Sequence, residues 1–173
     1  MAISFTNLSG TRENLDKTIR DLLQDNWTAS NITGTITPQF ESDTESADYM
    51  ARSDNSSVNH IMIQFNSRTR YNTDDLDFNG DDKHTWMQSL IITIQGESLT
   101  VMTQMEDEVN RILWTYAPNS GTRLNKSDGA ASEAAWFEDT EITFERLEPE
   151  GDAIDQYPTC EGELKIIYFK RKT

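Results

Sequence analysis

Residues 84–115 read HTWMQSLIITIQGESLTVMTQMEDEVNRILWT, and the rest of the chain is organised around this stretch. Apolar and polar side chains alternate over residues 86–95, which predicts a long strand with one buried face. Gly96 breaks the strand, and Ser98 is a favourable N-cap for a following helix. Apolar residues then recur at helical spacing up to Thr115, so the stretch predicts a strand, a tight turn and an amphipathic helix. The expected core-facing positions are Trp86, Gln88, Leu90, Ile92, Ile94, Val101, Met102, Met105, Val109, Ile112 and Leu113.

Four further elements are predicted around this unit. Residues 12–26 carry leucine and isoleucine on one helical face, which predicts a second amphipathic helix. Alternation of apolar and polar residues predicts strands over residues 59–66, 138–147 and 159–170. The side chains expected to face the core from these elements are Leu15, Ile19, Leu22, Leu23, Ile61, Ile63, Phe65, Thr140, Ile142, Phe144, Cys160, Leu164, Ile166 and Tyr168.

Three polar segments connect these elements: residues 28–58, 66–83 and 116–137. Connections of this length in a compact domain are predicted to be loops or arms, and in an assembly such arms would contact a neighbour. Within the first segment, residues 32–36 are predicted to form a short strand. The length of 173 residues fits a single domain, residues 1–173.

The chain is strongly acidic, with 15 Lys and Arg residues against 30 Asp and Glu residues and a net charge of −15. It lacks the clustered basic residues that grip a nucleic-acid backbone, but it can lie beside DNA and repel it. The single cysteine, Cys160, excludes an intrachain disulfide framework and a CxxC metal pair. No basic segment followed by an apolar run opens the chain, so no signal peptide is expected. No apolar run reaches the roughly 20 residues that span a bilayer, so no membrane partner is expected.

One local motif, DLDFNGD at residues 75–81, matches the first positions of an EF-hand calcium loop. The candidate ligands are Asp75, Asp77, Asn79 and Asp81. The match fails at the twelfth position, where Trp86 replaces the expected bidentate Glu. Asn79 followed by Gly80 is also a favoured two-residue hairpin turn. The turn is the preferred interpretation, calcium binding is the alternative, and no other metal or cofactor is expected.

The sequence gives no sign of catalytic chemistry. It contains no G-x-S-x-G, H-E-x-x-H, P-loop or G-x-G-x-x-G motif. Its two histidines and one cysteine form no local constellation, and its carboxylates are too scattered to single out a catalytic pair. We therefore expect a protein that is not an enzyme and has no catalytic residues.

The order of the predicted elements resembles the tail terminator and tail-completion (neck) proteins of long-tailed bacterial and archaeal viruses. A helix leads into a strand, then into the W-x-x-x-L-x-I-x-I strand and the M-x-x-M-x-x-x-V-x-x-I-L helix, and two strands close the chain. The residues that carry the resemblance are 15–23, 61–65, 86–94, 101–113, 142–144 and 164–169. The three polar segments are longer or more acidic than in compact members of that family.

The resemblance implies an α+β fold, with a mainly antiparallel sheet of about four strands, two helices packed on it, and long polar loops. It also implies a structural virion protein, found at the neck or tail end and assembled in the host cytoplasm. Six copies would form a homohexameric ring that caps the tail tube, joins it to the head connector proteins and lets DNA pass without specific binding. The acidic residues that are candidates for the lumen or for docking surfaces are Asp74, Asp75, Asp77, Asp81, Asp82, Glu148, Glu150, Asp152 and Asp155.

Three alternatives stay open at this point. The same acidic residues can equally be a solvated rim that keeps the protein in solution. The chain can be another virion component of similar fold, such as a tail-tube or connector protein. It can also be a soluble binding module that depends on calcium.

Overall fold

The computed structural model describes residues 4–5, 15–43, 58–70, 83–115, 124–126, 134–137, 142–148 and 157–171. The two helices are α1 (Leu15–Asp25) and α2 (Leu99–Thr115). The strands are β1 (Ser4–Phe5), β2 (Ser30–Asn31), β3 (Gly34–Thr35), β4 (Gln39–Ser42), β5 (His60–Arg70), β6 (Lys83–Gln95), β7 (Leu124–Lys126), β8 (Ala134–Phe137), β9 (Phe144–Arg146) and β10 (Thr159–Arg171).

Eight of the strands hydrogen-bond into one sheet in the order β1-β7-β8-β10-β6-β5-β4, with β9 also pairing with β10. Its centre is three long antiparallel strands: β6 pairs along its whole length with β10 on one side, and its residues from Trp86 to Gln95 pair with β5 on the other. Strands β8 and β9 lie one after the other along the free edge of β10, and both are antiparallel to it. The β4–β5 and β1–β7 pairs are parallel, so the sheet is mixed but mainly antiparallel.

The core lies between one face of this sheet and the two helices. Register places Ile61, Ile94 and Cys160 side by side on that face, and the helices contribute Ile19 and Met105 to the same cluster. Five strands, β4, β5, β6, β9 and β10, carry the side chains that meet the helices. Each fully buried aliphatic side chain stabilises the fold by about 1.5–3 kcal/mol. The two helices are therefore held on the sheet mainly by apolar burial.

Helix α2 begins where the sequence predicts. The backbone N–H of Val101 donates to the Ser98 hydroxyl over 3.3 Å, which caps the first turn. Gly96 makes the preceding turn possible, because a Cβ there would lie 2.6 Å from the backbone nitrogen of Met102. The Gly96 N–H also donates to the carbonyl of Pro158, which ties the turn to the start of β10.

The α+β class, the mainly antiparallel sheet and the two packed helices are confirmed. The four predicted strands correspond to β5, β6, β9 and β10. The sheet gains four more strands because segments of two to four residues pair at its edges, and such short runs carry too little alternation to be recognised in sequence. Strand β9 is shorter than predicted, and β5 extends four residues further, to Arg70.

The prediction of a strand over residues 32–36 holds only for Gly34–Thr35, which form β3. Residues Ile32 and Thr33 form the turn of a two-stranded hairpin between β2 and β3. The Asn31 side chain stabilises this turn by accepting hydrogen bonds from the Thr33 N–H at 2.9 Å and from its hydroxyl at 2.6 Å. Local side-chain hydrogen bonding of this kind competes with an extended strand.

The segments expected to be loops or arms contain regular structure in their described parts. Residues 28–43 hold β2, β3 and β4, and residues 44–57 lie outside the described residues. Residues 66–70 and Lys83 belong to β5 and β6. Strands β7 and β8 fall within the segment 116–137. Neither helix in the described part of the chain is long and apolar enough to cross a membrane.

Candidate functional site

Most of the acidic residues singled out from sequence lie outside the described residues. This holds for eight of the nine lumen or docking candidates, namely Asp74, Asp75, Asp77, Asp81, Asp82, Glu150, Asp152 and Asp155. Glu148 is described, and it is exposed just after β9. Asn79, the remaining calcium candidate, also lies outside the described residues.

Strand β6 starts at Lys83, two residues after the calcium-like motif ends. It pairs with β10 from its first residue, so the positions that would complete a twelve-residue calcium loop are extended backbone. Trp86, at the twelfth position, is paired with Arg70 of β5 and Tyr168 of β10. An EF-hand loop leads into a helix at this point. Among the described residues, no group of His, Cys, Asp or Glu side chains is placed to hold a metal ion.

The face of the sheet away from the helices carries a cluster of carboxylates that sequence reasoning did not single out. Glu145 of β9 and Glu161 of β10 are directly opposite each other in register, and Glu163 follows on the same face. Like charges directly opposite each other destabilise a strand pair. The sequence predicts that Glu145 points outward from its strand. Only the pairing of β9 with β10 brings it beside Glu161.

Hydroxyl and amide groups of neighbouring strands partly compensate for this clustered charge. The Thr93 hydroxyl donates to Glu161 over 3.3 Å. The Ser89 hydroxyl donates to Glu163, and the Asn66 side chain donates to the same carboxylate over 3.4 Å. Asn66 reaches this face from the irregularity in β5 between Phe65 and Ser67. The face thus presents hydrogen-bonded carboxylates to its surroundings, and Lys165, whose Nζ lies 4.0 Å from Oε2 of Glu163, offsets part of their negative charge.

His60 lies on this same face, as its alternation predicts, and it is a structural residue. Its Nε2 lies 3.4 Å from Oε2 of Glu41 on the neighbouring strand β4, and both side chains are largely buried. Gln39 donates to the other carboxylate oxygen of Glu41 over 2.9 Å. The contact between His60 and Glu41 therefore lies at the edge where β4 joins the sheet.

Cys160 is a core residue. Its side chain is buried under α2, and burial, together with a hydrogen bond to Glu106, raises the pKa of the thiol well above its usual range. A thiol that stays protonated at neutral pH is a poor nucleophile and a poor metal ligand. The packing role predicted from sequence accounts for this residue.

Residues 26–36, which we call the finger, project from the fold between α1 and β4. The base of the finger is held by buried contacts: Ala29 and Ile36 belong to the core, and their backbones are joined by a hydrogen bond of 3.0 Å. Trp27 stacks edge-on against Phe40 with the ring centres 5.3 Å apart. The indole N–H of Trp27 donates to the carbonyl of Ile36 over 2.8 Å, which closes the base.

A buried carboxylate fixes the finger to α2. Oε1 of Glu108 accepts hydrogen bonds from the Thr28 N–H at 2.6 Å and from the Thr28 hydroxyl at 2.9 Å. Arg111 donates to both carboxylate oxygens of Glu108 at 2.7 Å and to the Asn26 carbonyl at 3.0 Å. The hydrogen bond from Arg111 is the largest cause that lowers the pKa of Glu108, and the bonds from Thr28 add to it against the opposing effect of burial. The sequence places Glu108 on the helix but gives no sign of its partner 80 residues away.

A second polar side chain of α2 fixes the segment that leads into β9. The Asn110 side chain donates to the Ile142 carbonyl over 3.0 Å and accepts from the Ile142 N–H over 2.8 Å. This pair of bonds imitates a strand ladder and satisfies both backbone groups of a buried residue. These bonds hold the backbone in place two residues before β9 begins.

Large apolar side chains are exposed at several places. Ile32, at the tip of the finger, is fully exposed at 107%. Leu99, Leu147 and Tyr157 are between 41% and 49% exposed, and Trp114 at the end of α2 is 58% exposed. Trp114 therefore does not anchor the helix end in the core. The sequence could not separate these residues from core residues, because exposure depends on what the tertiary fold places beside each of them.

Comparison with known proteins adds no assignment. No protein-family model matches the chain, and no curated protein matches its sequence significantly.

Proposed function

We propose that this chain is a structural subunit of a ring at the neck or tail end of a long-tailed virus particle, of the tail terminator or tail-completion class. In this role the ring caps the tail tube, joins it to the head connector proteins and lets DNA pass through its centre. The chain acts through its surfaces and not as an enzyme. Its partners are copies of itself, the tail tube protein and the connector proteins, with no membrane involved.

The layout of the elements is the observation that carries the proposal. The resemblance rests on the order helix, strand, strand, helix, strand, strand, and the chain has α1, β5, β6, α2, β9 and β10 in this order. Both helices pack on one face of the sheet formed by the long strands, as the resemblance implies. The opposite face is partly covered, since Met62, Ser89 and Ile167 on it are buried, and its exposed positions, such as Glu145 and Glu163, remain for contacts with other molecules.

The charge of the chain fits a ring through which DNA slides. A net charge of −15 and the carboxylates of Glu145, Glu161 and Glu163 on the outer sheet face supply an anionic surface. A lumen lined with carboxylates repels phosphate, so DNA moves through it without being held. Clustered like charge destabilises a strand pair, and a role in the assembled ring gives a reason for it.

Negative-stain electron microscopy combined with mass measurement tests the proposal. We expect rings with an open centre and a mass six times that of the 19.8-kDa chain. The rings should bind the ends of purified tail tubes and should not retard duplex DNA in a gel at low salt. Long tubes instead of rings would favour the tail-tube alternative. A monomer at every concentration that never joins a tail end would refute the assembly role.

A further inference from the structure

The tip of the finger is a preorganised apolar contact. Ile32 is fully exposed in a turn, a position where Gly, Asn, Asp, Ser and Pro are the usual residues. The turn is fixed by the hydrogen bonds from Thr33 to Asn31 and by Gly34, whose φ of 132° favours glycine. A side chain presented on a rigid support loses little conformational entropy when it binds a partner.

Contacts with the core and with α2 fix the base of the finger. Two-residue strands alone are marginal in water, so the contacts of the base have to hold the finger in place. Those contacts include core burial of Ile36, the Trp27 indole bond and the Glu108 carboxylate on α2. The buried carboxylate of Glu108 thus helps to hold the segment that carries the exposed Ile32.

The charge distribution indicates which partner the finger meets. Residues 26–40 contain no charged residue, in a chain whose net charge is −15. Two copies of such an acidic protein repel each other over most of their surfaces. The uncharged finger is a part of the chain that can approach another copy without that repulsion, and its hydroxyl and amide groups can donate hydrogen bonds to carboxylates.

The same chain offers a complementary surface elsewhere. We define the docking patch as Leu99, Leu147 and Tyr157, three exposed apolar side chains at one end of the sheet. The Gly96 N–H donates to the Pro158 carbonyl, and the Leu147 N–H donates to the Thr159 carbonyl. The backbones near the three patch residues therefore meet at the end of the sheet where β6 ends and β10 begins. Charged residues adjoin the patch in the chain: Glu97 and Glu148 are exposed, and so is Arg146, next to Leu147.

The finger and the patch are separate sites on one subunit. The finger is attached to α2 at Glu108, nine residues and about 14 Å along the helix from Leu99. Two different and complementary surfaces on one chain produce a heterologous contact, in which each copy binds the next. Such contacts close into a ring when the rotation between copies permits it.

We propose that the finger of one copy docks on the docking patch of the next copy, with Ile32 as the central apolar contact and the exposed carboxylates beside the patch as hydrogen-bond acceptors. The proposal rests on the ring function proposed above and specifies its subunit contact. Loss of the Ile32 side chain is expected to weaken association roughly tenfold to a hundredfold, the value of burying one large aliphatic side chain.

A mixing experiment with two variants of the full chain tests the contact. Ile32→Ser removes the tip of the finger, and Tyr157→Ser removes the aromatic ring of the patch. Both side chains are exposed, so we expect each variant to fold with an unfolding midpoint close to that of the wild type. Ile32→Leu is the matched control, because it keeps an apolar tip of the same volume and should associate like the wild type.

Sedimentation velocity then gives distinct outcomes. We expect assemblies for the wild type and monomers for each variant alone at the same concentration. An equimolar mixture of the two variants should give heterodimers and nothing larger, because each pair retains one intact finger and one intact patch. An Ile32→Cys, Tyr157→Cys double variant should form a ladder of disulfide-linked copies on oxidation, since the natural Cys160 is buried and does not compete.

Each contrary result identifies what is wrong. If the wild type assembles and Ile32→Ser assembles equally well, the finger contact is refuted and the ring stands. If both single variants are monomers but their mixture gives no heterodimer, the pairing of finger with patch is refuted. A wild type that stays monomeric at all concentrations overturns both the contact and the ring.

Discussion

Replacing Glu108 with glutamine tests whether the buried carboxylate holds the finger to α2. Glutamine has nearly the same shape, and its carbonyl oxygen can still accept the bonds from Thr28. Its amide nitrogen, however, is a donor that would face the donor groups of Arg111. The substitution therefore removes the charge and the charge-assisted bonds and leaves the packing almost unchanged.

The expected loss of stability at pH 7 is about 1–2 kcal/mol. A hydrogen bond to a charged group contributes about 1.5–3 kcal/mol. The Glu108 side chain is 8% exposed, which favours the full value, but the Arg111 side chain is 50% exposed, and water compensates part of its lost bond. For a domain of this size, 1 kcal/mol corresponds to about 2–4 °C, so the melting temperature should fall by about 2–8 °C.

The pH dependence follows from the direction of the pKa shift. The pKa of Glu108 in the folded protein lies below its ordinary value of 4.5, chiefly because of the hydrogen bond from Arg111. A lowered pKa contributes stability that is complete above the unfolded value and is lost as the pH falls through the folded value. The difference between wild type and Glu108→Gln should therefore be largest at neutral pH and should shrink steadily below about pH 4.5.

Urea unfolding followed by circular dichroism at pH 7 and at steps down to pH 3.5 measures this difference. Asp107→Asn is the matched control, because it removes one negative charge from the adjacent, exposed position of the same helix. It should change stability by less than about 0.5 kcal/mol at every pH. Equal effects of the two substitutions at pH 7, or a Glu108→Gln deficit that grows as the pH falls, would refute the assigned role of the carboxylate.

Two further predictions concern close packing and calcium. Gly162→Ala should lower stability by about 1–3 kcal/mol in the same urea assay, because the new Cβ would lie 2.4 Å from Cγ2 of Ile142 and 2.9 Å from Cδ1 of Phe144. An unchanged unfolding midpoint would mean that β9 is not packed against β10 as described. Calcium should leave the melting temperature unchanged relative to a chelator, because Trp86 stands where the bidentate ligand belongs and lies within β6. A rise of several degrees would support the calcium-dependent binding module instead.

The carboxylates on the sheet face away from the helices and the acidic residues predicted from sequence as lumen candidates lie in different parts of the chain. The described cluster of Glu145, Glu161 and Glu163 arises where β9 and β10 pair, and Glu148 lies just beyond it. This cluster is a second candidate for the lumen or for docking, next to the candidates predicted from sequence. Its neighbouring hydrogen bonds from Thr93 and Ser89 hold the carboxylates in place as acceptors.

The sequence alone determined the elements whose signal is local. Helix α2 begins and ends where its apolar spacing and the Ser98 cap predict, because a helix is defined by hydrogen bonds four residues apart. Strands β5, β6 and β10 were recognisable because their alternation extends over many residues. The core-facing side of β6 followed from the same periodicity, as the burial of Leu90, Ile92 and Ile94 confirms, but periodicity did not predict that Met62 and Ile167 on the opposite face are also buried.

Tertiary structure decided everything that depends on which distant segments meet. Strands β4 and β8 form by pairing with longer strands, and too few residues are involved for a local pattern. The contacts of Glu108 with Thr28 and of Asn110 with Ile142 join residues 80 and 32 positions apart. The local pattern predicts that Ile32 lies in a strand. The tertiary structure places it instead at the exposed tip of the finger, whose base is packed in the core. Periodicity fixes which way a side chain faces along its own element, whereas its neighbours are fixed by packing between elements, and the candidate contacts of this protein belong to the second kind.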